Sequence, residues 1–120
     1  MKENVLKDKS YAFALRTIRL CRYLEEHKEY VISRQLLRSG TAIGALVREA
    51  EFAQSRSDFI HKLSIALKEA NETEYWLSLL RDSETITEKM HSSIKPDIDE
   101  LIRLLVSIVK TMKTSEKEKP

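Results

Sequence analysis

Gln35-Leu36-Leu37-Arg38-Ser39-Gly40-Thr41-Ala42-Ile43-Gly44-Ala45 decides how this chain is read. It holds both glycines of the 120 residues, one helical turn apart. Around them Ile32, Leu36, Ile43, Val47 and Ala50 fall on one helical stripe, with Ser39 at the step between Leu36 and Ile43. A glycine inside a helix costs about 1 kcal/mol relative to alanine, so a helix that keeps two should gain something by them. Together with Ser39, Thr41, Ala42 and Ala45 they form a flat surface of small residues, on which another backbone can pack at short range. Two partners fit that surface: another helix of the same chain, or a second subunit. The residues leave both open.

On either side the pattern stays helical. Two glycines and two prolines are too few to punctuate a strand-and-turn architecture of this length, and the high charged fraction suits long helices. Before the central stretch, Ser10 caps a helix expected over about 10–26, with Tyr11, Ala14, Ile18, Cys21 and Leu24 as its apolar stripe. Residues 1–8 read as a frayed end. The central helix spans about 31–53. Ser55 with Asp58 fits a capping pattern and starts a third helix over about 58–81, whose stripe is Phe59, Leu63, Ala66, Ala70, Thr73, Leu77 and Leu80. Asp82 to Ser93 is weakly patterned and reads as a connection. Pro96 suits the first turn of a fourth helix over about 95–112, where Ile94, Ile98, Leu101, Leu105, Ile108 and Met112 keep 4-3-4-3-4 spacing. The tail 113–120 reads as disordered. The expected fold is all-α, one domain over 1–120, an up-down-up-down antiparallel four-helix bundle.

Composition narrows the chemistry. Cys21 is the single cysteine, so no intramolecular disulfide can form and a reducing, cytoplasmic setting is expected. No apolar run approaches the length of a membrane span, and no membrane partner is expected. His27, His61 and His91 stand far apart, no phosphate loop or nucleophile elbow is present, and no metal site, cofactor or catalytic residue is expected. Glu69 with Glu72 is a carboxylate pair, but without a matched histidine or glycine-rich loop it reads as a solvated or ion-paired face. The chain is not expected to be an enzyme.

The basic residues are more informative. Net charge is +2, but residues 1–56 carry 11 Lys and Arg against 7 Asp and Glu, whereas residues 57–120 carry 10 against 12. Arg34 and Arg38 form an i, i+4 pair beside the glycines, Arg48 continues their side, and Arg16, Arg19 and Arg22 recur on the first helix. Two uses are open: register pairs to Glu69, Glu72 or Glu74 of the third helix, or a phosphate-binding patch. Tyr75 and Trp76 are aromatics that pack or stack on bases.

The quoted stretch, followed by Arg48-Glu49-Ala50, Asp58-Phe59, Lys62-Leu63 and Ala66-Leu67-Lys68-Glu69-Ala70-Asn71-Glu72-Thr73, resembles the bacterial four-helix-bundle family encoded by intervening sequences within large-subunit ribosomal RNA genes. The resemblance covers about Tyr11 to Lys113. This chain departs from the family's pattern at Leu46, where asparagine is usual, and at Arg48-Glu49-Ala50, where many members read Ala-Glu-Gly. The resemblance implies a left-handed bundle assembling as a ring-shaped homopentamer. It extends to the accessory protein of diversity-generating retroelements, a pentameric bundle that partners nucleic acid and a reverse transcriptase. Residues and resemblance together point to an oligomeric RNA- or DNA-binding accessory protein. Arg16, Arg19, Arg22, Arg34, Arg38 and Arg48 are its candidate contacts, and Gly40, Gly44, Ala45 and Trp76 its packing or subunit surface. The competing expectation is a protein-interaction scaffold that needs no nucleic acid.

Overall fold

Four helices, α1 (Lys2–Glu26), α2 (Val31–Glu51), α3 (Arg56–Asp82) and α4 (Glu88–Lys117), make up the computed structural model of this chain, which describes residues 2–117 and the side chains of 4–115. Among the described residues there is no strand. The fold is all-α and measures 55 × 22 × 22 Å. Connections of four or five residues leave little room to do anything but turn back. The contacts between helices run in opposite order along each pair. On α1 and α2, Lys7 meets Glu51 and Cys21 meets Ser33. On α2 and α3, Arg38 meets Glu69 and Glu49 meets Lys62. On α1 and α4, Lys9 meets Glu100 and Arg16 meets Asp97. α1 and α3 each pack against α2 and α4.

The helix ends are made without glycine. After α1, Lys28 adopts the left-handed conformation (φ 64°) and the Glu29 N–H donates back to the Leu24 carbonyl at 2.8 Å. After α3, Glu84 does the same (φ 62°), and the Thr85 N–H donates to the Leu80 carbonyl at 2.9 Å. Both satisfy orphan carbonyls at the helix terminus. Ser55 caps α3 as expected: its Oγ accepts from the Asp58 N–H at 3.0 Å, while the Asp58 carboxylate accepts from the Gln54 N–H at 3.2 Å.

Three expectations need correction. The first concerns which face of α1 is inside. The buried stripe is Leu6, Ser10, Phe13, Thr17, Cys21 and Leu24; Tyr11 is 59% exposed, and Ala14 and Ile18 are only half-buried. Ser10 and Thr17 hid that stripe, because polar residues do not register in an apolar periodicity. Their hydroxyls are satisfied within their own helix, Thr17 donating to the Phe13 carbonyl at 2.9 Å and Ser10 to the Lys7 carbonyl at 3.1 Å. The second is the start of α1. Leu6 lies one turn before Ser10 on the buried stripe and is 1% exposed, so the helix extends to Lys2 instead of fraying through residue 8.

The third is α4, which starts at Glu88 and runs to Lys117, so Pro96 lies inside it and not in its first turn. Thr87 serves the new start, its Oγ1 accepting from the Met90 N–H at 3.1 Å. His91 extends the buried side of α4 beyond Ile94 towards its N-terminus, with Ile86 buried just before the helix, and as a polar residue it masked that extension. At the other end nothing between Leu101 and Lys117 breaks a helix, and residues 113–117 stay helical. Residues 118–120 of the expected tail lie outside the described residues. The stripes read for α2 and α3 are found except at their first members: Leu36, Ser39, Ile43, Val47 and Ala50 are buried opposite Leu63, Ala66, Ala70, Thr73, Leu77 and Leu80, whereas Ile32 and Phe59 are only half-buried.

Candidate nucleic-acid interface

One side of the quoted stretch turns inward. Gly40 is buried, and a Cβ built on it would lie 2.7 Å from Cγ2 and Oγ1 of Thr17; one on Gly44 would lie 3.2 Å from the Ser10 carbonyl oxygen. The two glycines therefore let α1 and α2 cross at close range within one chain. A reciprocal pair closes the same seam, with the Cys21 thiol donating to the Ser33 carbonyl and the Ser33 hydroxyl to the Cys21 carbonyl, each at 3.3 Å. Burial pushes the Cys21 thiol above its usual range, so it stays protonated and packs as a small apolar group. On the side of α2 that faces α3, Thr73 donates to Ser39 Oγ at 2.9 Å. Ala45 is exposed, and Leu46, at the position where the resemblance expects asparagine, packs half-buried against the core.

The candidate arginines divide into two groups. Arg38 spans to α3, pairing with Glu69 at 2.9 Å and with Glu72. Glu72 Oε1 also accepts from Trp76 Nε1 at 3.2 Å, which fixes the half-buried indole; Tyr75 meets it edge-on at 5.2 Å. Arg16 spans to α4. Its Nη1 donates to Asp97 at 2.6 Å and to the Ser93 carbonyl at 2.9 Å, and its Nη2 donates to Ser93 Oγ at 2.8 Å. Pro96 lacks an N–H and its ring crowds the preceding turn of carbonyls, and Arg16 donates to a carbonyl of that turn. These two arginines hold helices together. Arg19, Arg22, Arg34 and Arg48 are exposed, and none makes an ion pair with a described residue.

Sequence reading missed Lys89. It lies in the segment taken for a connection, yet it stands exposed on the first turn of α4, next to α1. The signal that finds it is the Thr87 cap. The same oversight hid Glu88-Lys89-Met90-His91, a Glu-x-x-His spacing used in helical metal sites. Here it gathers no further ligand: among the described residues no three of His, Cys, Asp and Glu come together. His91 is 3% exposed, its Nε2 has no hydrogen-bond partner among the described residues, and burial holds the imidazole below its ordinary pKa.

Among the described residues no helix is long and apolar enough to cross a membrane. The sequence profile of the 23S rRNA-intervening sequence proteins matches residues 2–107. No curated protein matches. Among solved structures, the chain is similar to a protein of unknown function from the S23 ribosomal protein family of Bacteroides thetaiotaomicron VPI-5482, determined at 1.70 Å. The two are 60% identical, with a TM-score of 0.89 over 92% of this chain and 99% of that one. With that profile covering most of its length, and a 60%-identical neighbour of the same fold, the chain belongs to the 23S rRNA-intervening sequence protein family.

Proposed function

We propose that this protein is a non-enzymatic accessory protein of the cytoplasm that binds structured RNA or DNA through exposed arginines on α1 and α2. The observation that carries this reading is the division of the arginines. Arg16 and Arg38 are neutralised by carboxylates of α4 and α3, whereas Arg19, Arg22, Arg34 and Arg48 remain exposed, without an ion pair to any described residue. Exposed guanidiniums without carboxylate partners keep their affinity for phosphate. The family's name, which ties it to intervening sequences of 23S rRNA, agrees with such a partner. The test is the salt dependence of binding. If about four phosphates are neutralised, log K against log salt falls with a slope of about −3. A slope near zero, or no loss on charge reversal at Arg19 and Arg22, overturns the reading.

The finer assembly belongs to the same proposal: up-down-up-down bundles joined in a ring-like homopentamer. Its support is the exposed apolar surface of α1 and α2, where Tyr11, Leu15 and Leu37 are 59%, 38% and 36% exposed. Light scattering should then give a mass five times that of one chain, and a monomeric mass overturns it. The same surface also favours the second reading, a protein-interaction scaffold. A purified partner that stays bound after nuclease treatment, with no salt-dependent nucleic-acid binding, would establish the scaffold instead.

A further inference from the structure

The seam between α1 and α4 is not closed along its whole length. Towards the start of α4 it opens into a groove of about 440 Å³, lined by eight residues of which none is acidic. Leu20 and Tyr23 from α1, with Met90 and Ile94 from α4, make an apolar wall; Arg19 and Lys89 come from opposite sides. Both cations are exposed and neither makes an ion pair with a described residue. Arg16 and Ser93 also line the groove, but there the guanidinium is saturated by Ser93 and Asp97. Tyr23 is held in place by His27, whose ring lies 4.1 Å away at 33°, and whose Nδ1 is 2.8 Å from the Tyr23 carbonyl oxygen.

Two cations that pair with no described residue, flanking an apolar wall, suit a ligand with a flat, weakly polar body and anionic groups on either side. That is the chemistry of a nucleotide within a strand. The body has to be free to enter, and a base within a duplex is already stacked and paired, so it offers the groove only backbone. The groove between α1 and α2 contrasts with it. At about 230 Å³ it is half the size, and beside one aromatic, Tyr11, it is lined by the small residues Ala14, Thr41, Gly44 and Ala45. Of its two cations Lys7 is paired with Glu51, which leaves Arg48 alone.

We infer that the α1–α4 groove takes an unpaired base of a single-stranded nucleic acid against Leu20, Tyr23 and Met90, with the adjoining phosphates at Arg19 and Lys89. This rests on the nucleic-acid reading above and sharpens it, from a diffuse arginine surface to one groove and to the unpaired stretches, such as loops and ends, of a structured nucleic acid. Fluorescence anisotropy tests it with labelled oligouridine and oligoadenosine of about 12 nucleotides, within the site sizes known for single-strand binders, and with an RNA duplex of the same length. The single strands should bind at least about tenfold more tightly than the duplex, since stacking adds to phosphate contact. Arg19→Glu and Lys89→Glu, both at exposed positions and checked for unchanged helix content, should each weaken single-strand binding about tenfold or more, while charge reversal at Lys68, an exposed cation on α3 outside the arginine surface, changes it less than about twofold. Duplex binding as tight as single-strand binding overturns the groove and leaves the broader reading standing. So does binding that depends on Arg48 and not on Arg19 or Lys89. No salt-dependent binding of either form overturns both.

Discussion

Thr17 of α1 fills the space that a side chain at position 40 of α2 would need: a Cβ on Gly40 would sit 2.7 Å from both Cγ2 and Oγ1 of Thr17. A threonine cannot easily give way, since its branched Cβ leaves few rotamers in a helix and its hydroxyl is committed to the Phe13 carbonyl. Gly40→Ala should therefore destabilise the protein by about 1–3 kcal/mol, despite the better helix propensity of alanine. Adding Thr17→Ala should recover part of that loss, giving a coupling in a double-mutant cycle measured by chemical denaturation. Additive effects would mean that the two residues do not meet.

Gly44 tests whether the small-residue surface works within the chain or between chains. Its neighbour is backbone, the Ser10 carbonyl oxygen at 3.2 Å, which cannot rotate away. Gly44→Leu should prise α1 from α2, lowering thermal stability and helix content together. A fully helical variant of reduced mass would instead place that surface between subunits.

Arg16 fastens α1 to the Pro96 turn of α4 through Asp97 and both Ser93 oxygens. The pair is partly exposed, with side chains 35% and 44% accessible, so Arg16→Ala should cost only about 0.5–1 kcal/mol. Arg16→Lys should not restore it, because an ammonium cannot make the forked set of contacts. Equal stability of the Lys variant and the parent in thermal melts would show that charge alone suffices.

His91 makes stability depend on pH. Burial is the main cause of its lowered pKa, and Arg81 and Lys95 work in the same direction, while Glu88 and Asp82 oppose them. A histidine depressed in the folded state binds fewer protons there than in the unfolded chain, whose value is about 6.5. Its contribution is thus fully present above about pH 6.5 and is lost as pH falls from there through the folded pKa. Melting temperature should drop over that acidic range, and His91→Leu should flatten the drop. An unchanged profile in the variant would assign the acid sensitivity to carboxylates.

Lys28 ends α1 in the left-handed conformation, which costs an L-residue with a side chain about 1 kcal/mol. Lys28→Gly should stabilise the protein by about 0.5–1 kcal/mol in denaturation, after the added freedom of the unfolded chain is counted. A loss of stability would mean that the lysine side chain makes a compensating contact.

Much of this was legible before folding was considered. The α2, α3 and α4 stripes could be read because their buried positions are mainly apolar, and periodicity detects apolar residues. The α1 stripe could not, because two of its buried members are hydroxyl residues whose burial depends on glycines in another helix. His91 concealed the first turns of α4 in the same way, and Lys89 with them.

By itself, then, the sequence determined the helical class, the spacing of most of the core, the Ser55 cap and the family, since each follows from local propensity or an ungapped motif. Only the tertiary structure decided what the charged and small residues do. Arg16 and Arg38 pair with carboxylates while Arg19 and Arg22 pair with no described residue, although all are arginines on similar helices. Gly40 and Gly44 face α1 within the chain, one of the two uses that sequence left open. The physical reason is that ion pairing and close packing are relations between helices distant in sequence. Their outcome depends on which faces the shared core turns towards one another.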